Sequence, residues 1–262
     1  MEHMETKDIK LFDFISIKKF FDLEEVDYRP VIVMISIALC LAINRFIGSG
    51  NTFVFFFKKI YPSAPLTWKV EFWATIYWAC LCCISYFIIP SIITKIVFKE
   101  SIFQYGLKIK GISKHLWIYT TLYCIVLVGV LIASFQQSFL RTYPFIQPPP
   151  GEWEYFLIFE VFYCLQFCFL EFFFRGYMIF QLEKNFGIYS IFIMVIPYCM
   201  IHFQKPFLEA LASILAGTIL GMIALRTRSI FYGILIHCSV AISMDMAALI
   251  RKDYLLILFG YR

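Results

Sequence analysis

Charged residues are scarce in this chain. Asp, Glu, Lys and Arg make up 16% of its 262 residues, against about 25% in an average soluble protein. Hydrophobic residues reach 61% and aromatic residues 20%. A soluble globule of this size has too little polar material to cover such a surface, and a chain this hydrophobic is not disordered. The composition therefore excludes both classes and predicts an all-α, polytopic membrane helix bundle.

The excess of basic over acidic residues is also small, because 23 Lys and Arg face 18 Asp and Glu, a net charge of +5. For a membrane protein this indicates basic residues on the cytoplasmic side, so no nucleic-acid partner is expected. The nine cysteines lie almost entirely in apolar runs, without histidines at zinc-finger spacing. They predict packed thiols, with no disulfide framework and no cofactor. The N-terminus lacks the basic-then-apolar order of a cleavable signal.

A helix that crosses a membrane needs about 17–25 predominantly apolar residues. Seven stretches qualify, at about 30–48, 70–97, 115–136, 154–182, 187–203, 207–226 and 229–249. Asn44 and Arg45 interrupt the first stretch, and we expect Pro90 to kink the second. The sequence thus predicts a bundle of about seven spans.

Four regions follow from these spans. Residues 1–29 are charged, and Ile9 to Phe21 form either an amphipathic interfacial helix or a solvated tail. Residues 30–150 hold the first three spans and residues 151–250 the last four, separated by Pro144 and the run Pro148 to Gly151. Residues 251–262 form a short tail.

The basic residues predict the orientation of the chain. Residues 1–29 and 95–114 carry five Lys or Arg each, whereas 137–153 carry only Arg141. Basic loops stay in the cytoplasm, so we expect the N-terminus there. Lys58, Lys59 and Lys69 then fall on the opposite side.

Ionisable groups inside the hydrocarbon are costly and by default indicate function. Six qualify: Glu160, Glu171, Arg175, His202, His237 and Asp245. Glu171 and Arg175 are four residues apart and share a helix face, as a structural ion pair or as part of a site. Turns are expected near Gly187, between the fourth and fifth spans, and near Arg228, between the sixth and seventh. At about 1.5 Å per residue, Glu171 and His202 lie about 21–22 Å along their helices from the first turn, and His237 lies about 14 Å from the second. These three groups should therefore converge inside the membrane.

Two other features have simpler interpretations. Ser213, Gly217 and Gly221 recur every four residues and predict close helix packing. Lys205 and Glu209 flank the start of the next span, where Pro206 and an acidic residue are ordinary helix-start signals.

Three short motifs resemble those of the CPBP family (CAAX protease and bacteriocin-processing, also called Abi). The run from Leu170 to Gly176 resembles the EExxxR motif, with Glu171 at the second acid and Arg175 at the arginine. Tyr198 to His202 is similar to FxxxH, with Tyr for Phe, and His237 to Ala241 is similar to HxxxN/D. Motif order and spacing on successive helices also agree with that family.

The resemblance implies a glutamic-type intramembrane endopeptidase. Glu171 and His202 would activate a water, and His237 would donate to the oxyanion, with Arg175 as the motif arginine. Leu170 stands where the family has its first Glu, and Ala241 stands at the Asn/Asp position. Glu171 is then the best remaining base. The implied partners are membrane lipids and a membrane-anchored peptide or protein, such as a prenylated C-terminus, and the implied location is a bacterial cytoplasmic membrane.

Three alternatives remain open. A catalytically inactive scaffold or immunity protein would keep the Glu171–Arg175 pair as a brace. Acid and histidine sets inside membranes also form proton or ion pathways, although the matched broken helices of many transporters are missing. A zinc site of His202, His237 and Glu171 fits zinc's preferred donors but lacks HExxH-type spacing.

Overall fold

The computed structural model describes residues 26–108 and 116–260. The amphipathic stretch expected from Ile9 to Phe21 lies outside these residues. Within them the secondary structure is entirely helical, which confirms the predicted fold class.

Ten α-helices make up the described parts of the chain, three of them extended by π-helical turns. They are α1 (Tyr28–Ala42, continued to Ile47), α2 (Gly50–Ile60), α3 (Trp68–Cys83, continued to Val97), α4 (Leu116–Ala133), α5 (Gln137–Thr142), α6 (Trp153–Glu171, continued to Phe186), α7 (Tyr189–Met200), α8 (Phe207–Thr227), α9 (Phe231–Arg251) and α10 (Leu255–Leu258).

Six of these helices are long and apolar enough to cross a membrane: α1, α3, α4, α6, α8 and α9. The fifth expected span is shorter than predicted, because α7 ends at Met200 after 12 residues. At about 1.5 Å per residue it covers about 18 Å, little more than half of a hydrocarbon core. The chain turns at His202 within the bundle and returns through α8.

The Pro90 region lies in α3, between π-helical turns at Ile84–Ile88 and Ile93–Val97. Proline removes one backbone donor, and such turns are a usual local adjustment. The amphipathic α2 was not expected from the sequence. It carries Lys58 and Lys59 in its last turn.

The centre of the bundle is the middle of α6, where every residue from Leu170 to Leu182 is buried. Its apolar side chains pack with Val33 and Ile37 of α1, Tyr86 of α3 and Met194 of α7. By contrast, Val130 is the one buried residue of α4, which lies at the edge and contacts α9 through hydroxyl pairs such as Tyr119 with Ser239 (2.7 Å). The EExxxR-like segment is thus the innermost part of the described chain.

Ion pairs join the helix ends on one side of the bundle. Glu100 lies 3.1 Å from Arg29 and 2.6 Å from Lys184, and Glu183 pairs with Arg228. The start of α1, the segment after α3 and the turns after α6 and α8 therefore share one face, as the predicted alternation of spans requires. That this face is cytoplasmic remains a prediction.

The expected turns lie close to this face. Gly187 follows α6 with a φ of +55°, and Arg228 follows α8 with the same value. Arg228 occupies the left-handed region that commonly ends a helix, and Gly187 has a positive φ that glycine adopts without strain.

Candidate active site

The Glu171–Arg175 pair lies at the centre of the bundle, on α6. Arg175 Nη1 is 3.0 Å from Glu171 Oε1, and both side chains are 0% exposed. Arg175 belongs to a π-helical stretch, Phe172–Ile179, that begins directly after Glu171. Wide turns of this kind are frequent at functional sites. The predicted pairing is present, in a fully dehydrated setting.

His237 lies on α9, and its ring contacts the same carboxylate. Its Nδ1 lies 2.6 Å from Glu171 Oε1, and its ring stacks on Phe167 with centroids 5.2 Å apart. A carboxylate oxygen can only accept, so we place a proton on Nδ1. The carboxylate of Glu171 thus binds two positive or donor groups from different helices.

Tyr198 of α7 links these groups, although sequence analysis treated it only as a variant of the motif phenylalanine. Its hydroxyl lies 2.8 Å from His237 Nε2. The guanidinium of Arg175 stands over its ring, 4.0 Å from the centroid. The only sequence signal for this role is the replacement of Phe by Tyr, which adds one hydroxyl.

His202 lies in the turn after α7 and is half-buried. Its Nδ1 is 2.8 Å from the backbone carbonyl of Tyr198. A carbonyl oxygen only accepts, so Nδ1 carries the proton and, in the neutral ring, Nε2 holds a free lone pair. Among the described residues no hydrogen-bond partner faces Nε2.

The structure therefore brings together all four predicted site residues, Glu171, Arg175, His202 and His237, with Tyr198 between the two imidazoles. They come from α6, α7 and α9 and the turn after α7. The convergence expected from helical rise is present, even though α7 is shorter than predicted.

Leu170 and Ala241, the two departures from the motifs, are both buried in apolar clusters. Leu170 packs in the central cluster around the π-helical segment. Ala241 packs in a second cluster that includes Phe159 and Tyr163. Neither position offers a polar group to the site.

The remaining intramembrane acids, Glu160 and Asp245, form a separate pair. Their carboxyl groups are close electrostatic neighbours between α6 and α9. Asp245 is 0% exposed and Glu160 is 9% exposed. Two carboxylates this close in a low dielectric cannot both be ionised, so they share at least one proton. Neither acid replaces the missing groups beside Glu171 or His237.

A further polar cluster surrounds the turn between α7 and α8. Lys205 Nζ donates to the Tyr143 hydroxyl (2.9 Å), which in turn lies 3.0 Å from both carboxylate oxygens of Glu209. Burial lowers the pKa of Lys205, and the neighbouring Glu209 carboxylate opposes that effect. Lys205 and Glu209 thus do more than begin a helix, because they fix the turn that follows His202 to the segment before α6.

A cavity of about 300 Å³ lies beside this turn. Residues on both sides of His202 line it: Cys199, Phe203, Lys205, Phe207, Ala210 and Leu211. Across residues 26–108 and 116–260, no group of three His, Cys, Asp or Glu side chains is arranged to hold a metal ion. The zinc alternative therefore has no support in the geometry.

Residues 152–243 match the family model described as "Type II CAAX prenyl endopeptidase Rce1-like". Comparisons with curated proteins and with solved structures gave no significant match. The matched segment contains all three motifs and all four predicted site residues. The resemblance seen in the motifs is confirmed: over residues 152–243 this multi-pass membrane protein is similar to the Rce1-like CAAX prenyl endopeptidases of the CPBP family.

Proposed function

We propose that this protein is an intramembrane endopeptidase that hydrolyses a peptide bond of a membrane-tethered substrate. The observation that carries the proposal is the arrangement of His202, whose Nδ1 donates to a carbonyl while Nε2 remains open. A neutral imidazole in this state is a general base for a water molecule. The family match over the same segment supplies the reaction class.

Of the two groups expected to activate water, the structure favours His202. Glu171 is fully buried, and its carboxylate faces Arg175 and His237, so no side of it is open to a water. His202 is half-buried and lies near the cavity at the α7–α8 turn. We therefore assign proton removal to His202 and assign Glu171 to the charged cluster behind it.

The chemical step is balanced with these groups alone. His202 Nε2 takes a proton from water as the water oxygen bonds to the peptide carbonyl carbon. The tetrahedral oxyanion that forms lies beside the protonated imidazole of His202, whose positive charge stabilises it in a low dielectric. Its collapse breaks the carbon–nitrogen bond, and the proton on His202 passes to the leaving amine.

The membrane location of the site defines the substrate class. Exposed apolar side chains surround the bundle, and the reactive groups lie between helices long enough to cross the bilayer. A soluble peptide would have to enter hydrocarbon, whereas a lipidated C-terminus is already held there. A prenylated C-terminal peptide is therefore the first substrate to test.

The test uses the full-length protein in proteoliposomes with a farnesylated, fluorescently labelled C-terminal peptide. Mass spectrometry of the products should show cleavage by the wild type and none by His202→Asn. Cys124→Ala is the control, because it changes an exposed side chain on α4 at the edge of the bundle, away from His202. Equal cleavage by His202→Asn and Cys124→Ala would refute the assignment.

A catalytically inactive scaffold is the second candidate, favoured by the apolar burial of Leu170 and Ala241. If the wild type cleaves neither prenylated nor unprenylated peptide, the variant Leu170→Glu/Ala241→Asn provides a further test. If that variant cleaves the peptide and the wild type does not, the fold is retained and the natural residues Leu170 and Ala241 are the cause of the inactivity.

A further inference from the structure

Tyr198 has three contacts with the candidate site, each through a different part of the residue. Its backbone carbonyl accepts from His202 Nδ1 (2.8 Å). Its hydroxyl lies 2.8 Å from His237 Nε2. Its ring face carries the guanidinium of Arg175 at 4.0 Å.

The donor and acceptor roles of Glu171, His237 and Tyr198 follow from which of their atoms can carry a proton. His237 Nδ1 lies 2.6 Å from Glu171 Oε1, and a carboxylate oxygen can only accept, so we place the His237 proton on Nδ1. In the neutral ring His237 Nε2 must then accept, and the Tyr198 hydroxyl is its donor. His237 Nε2 is thus already occupied within the protein, whereas the corresponding nitrogen of His202 is open.

Tyr198 is 1% exposed, so a substrate does not reach it in this conformation. Its influence on a reaction must pass through the two histidines. The ring is held from the other side by α8, since a Cβ on Gly217 would lie 2.8 Å from Tyr198 Cδ1.

We propose that Tyr198 is a positioning residue that joins the buried Glu171–Arg175–His237 cluster to His202 and fixes the tautomers of both histidines. This inference rests on the proposed function. It assigns the chemistry to His202 alone, with the cluster acting through Tyr198.

The first test is Tyr198→Phe, which removes one hydroxyl and keeps the ring and the carbonyl. We expect kcat for the farnesylated peptide to fall about 10- to 100-fold, since small misplacements of reacting groups have effects of this size, while KM stays within about twofold. Tyr177→Phe is the matched control, because it also removes a buried hydroxyl that is hydrogen bonded, to Ser36 at 2.8 Å. Equal kcat values in Tyr198→Phe and the wild type would overturn the proposal.

A second variant disturbs Tyr198 without changing any polar atom. Gly217→Ala presses on the Tyr198 ring, whereas Gly221→Ala on the same helix presses on Ile191 at 2.9 Å. Both are similarly crowded, so both should lose similar stability. Only Gly217→Ala should also lower kcat, and parallel losses in the two variants would contradict a positioning role.

A spectroscopic measurement tests the same contacts without any cleavage. In ¹⁵N-histidine-labelled protein, Tyr198→Phe should shift the His237 Nε2 resonance strongly and the His202 resonances by a smaller amount. An unchanged His237 spectrum overturns the proposal whatever the activity. If the wild type proves inactive while the spectrum shifts as expected, the proposed function fails and the catalytic part of this inference fails with it, but the contacts stand.

Discussion

The carboxylate of Glu171 lies directly against the α-carbon of Gly233, one helical turn before His237. A Cβ built at Gly233 would collide with Glu171 Oε2. The absence of a side chain at this position is therefore what lets α6 bring its buried acid to the histidine of α9.

Replacing Gly233 with Ala should displace the Glu171 carboxylate and weaken its contact with His237. We expect a loss of about 1–3 kcal/mol in the free energy of unfolding, the usual effect of overpacking, together with reduced cleavage. Gly129→Ala is the control, since no heavy atom beyond its own helix backbone lies within 4 Å of its added Cβ. That variant should be as stable as the wild type or more so, because Ala favours helix over Gly. Equal unfolding curves for the two variants in detergent would contradict the argument.

Removing the charge of Glu171 should destabilise the protein, because Arg175 would stay buried without a counter-charge. Breaking such a pair costs about 3–5 kcal/mol, so Glu171→Gln should accumulate poorly in membranes. The double variant Glu171→Gln/Arg175→Gln should unfold at a higher temperature than Glu171→Gln alone.

The matched control for that pair is Glu183→Gln, which breaks the more exposed pair with Arg228. Exposed pairs contribute about 0–1 kcal/mol, so its unfolding temperature should change little. A double variant less stable than Glu171→Gln alone would show that Glu171 and Arg175 are not coupled as the structure indicates.

Glu100 predicts a dependence of stability on acidic pH. Burial raises the pKa of Glu100, but hydrogen bonds from Lys184, Tyr105 and Arg29 outweigh it and lower the pKa to about 2. A group whose pKa is lowered in the folded state stabilises it above the ordinary pKa, and that contribution is lost as pH falls toward the folded value.

The unfolding temperature of the wild type should therefore fall more steeply between pH 5 and pH 3 than that of Glu100→Gln. At pH 7 the variant should be the less stable of the two. Parallel pH profiles would show that Glu100 contributes nothing to this end of the bundle.

Tyr143 predicts a structural effect near the reactive turn. Its hydroxyl accepts from Lys205 and lies within hydrogen-bond distance of Glu209, so Tyr143→Phe leaves both charged groups short of a partner. We expect a loss of about 1–3 kcal/mol in stability. Tyr155→Phe removes a hydroxyl for which the described residues provide no hydrogen-bond partner, and should have almost no effect. A Tyr143→Phe variant as stable as Tyr155→Phe would rule out this role.

The helical class and six of the seven expected spans could be predicted from the sequence. Only helices and closed barrels can cross hydrocarbon with every backbone polar group hydrogen bonded. The length of an apolar run in the sequence therefore predicts a spanning helix directly. The α7 region was the exception. Its apolar run extends to residue 203, but the helix ends at Met200, because tertiary packing and the Lys205–Tyr143 contact decide where the chain turns.

For the candidate site, the sequence by itself determined which residues are costly in a membrane, and so named Glu171, Arg175, His202 and His237 with the depth at which they meet. Only the tertiary structure decided how they connect. Glu160 and Asp245 carry the same sequence signal but face each other, and Tyr198 carries no charge yet touches three of the four site residues. The physical reason is that the residue type shows which side chains are costly in hydrocarbon when unpaired, whereas their partners depend on how neighbouring helices are rotated and on the close approaches that Gly217 and Gly233 allow.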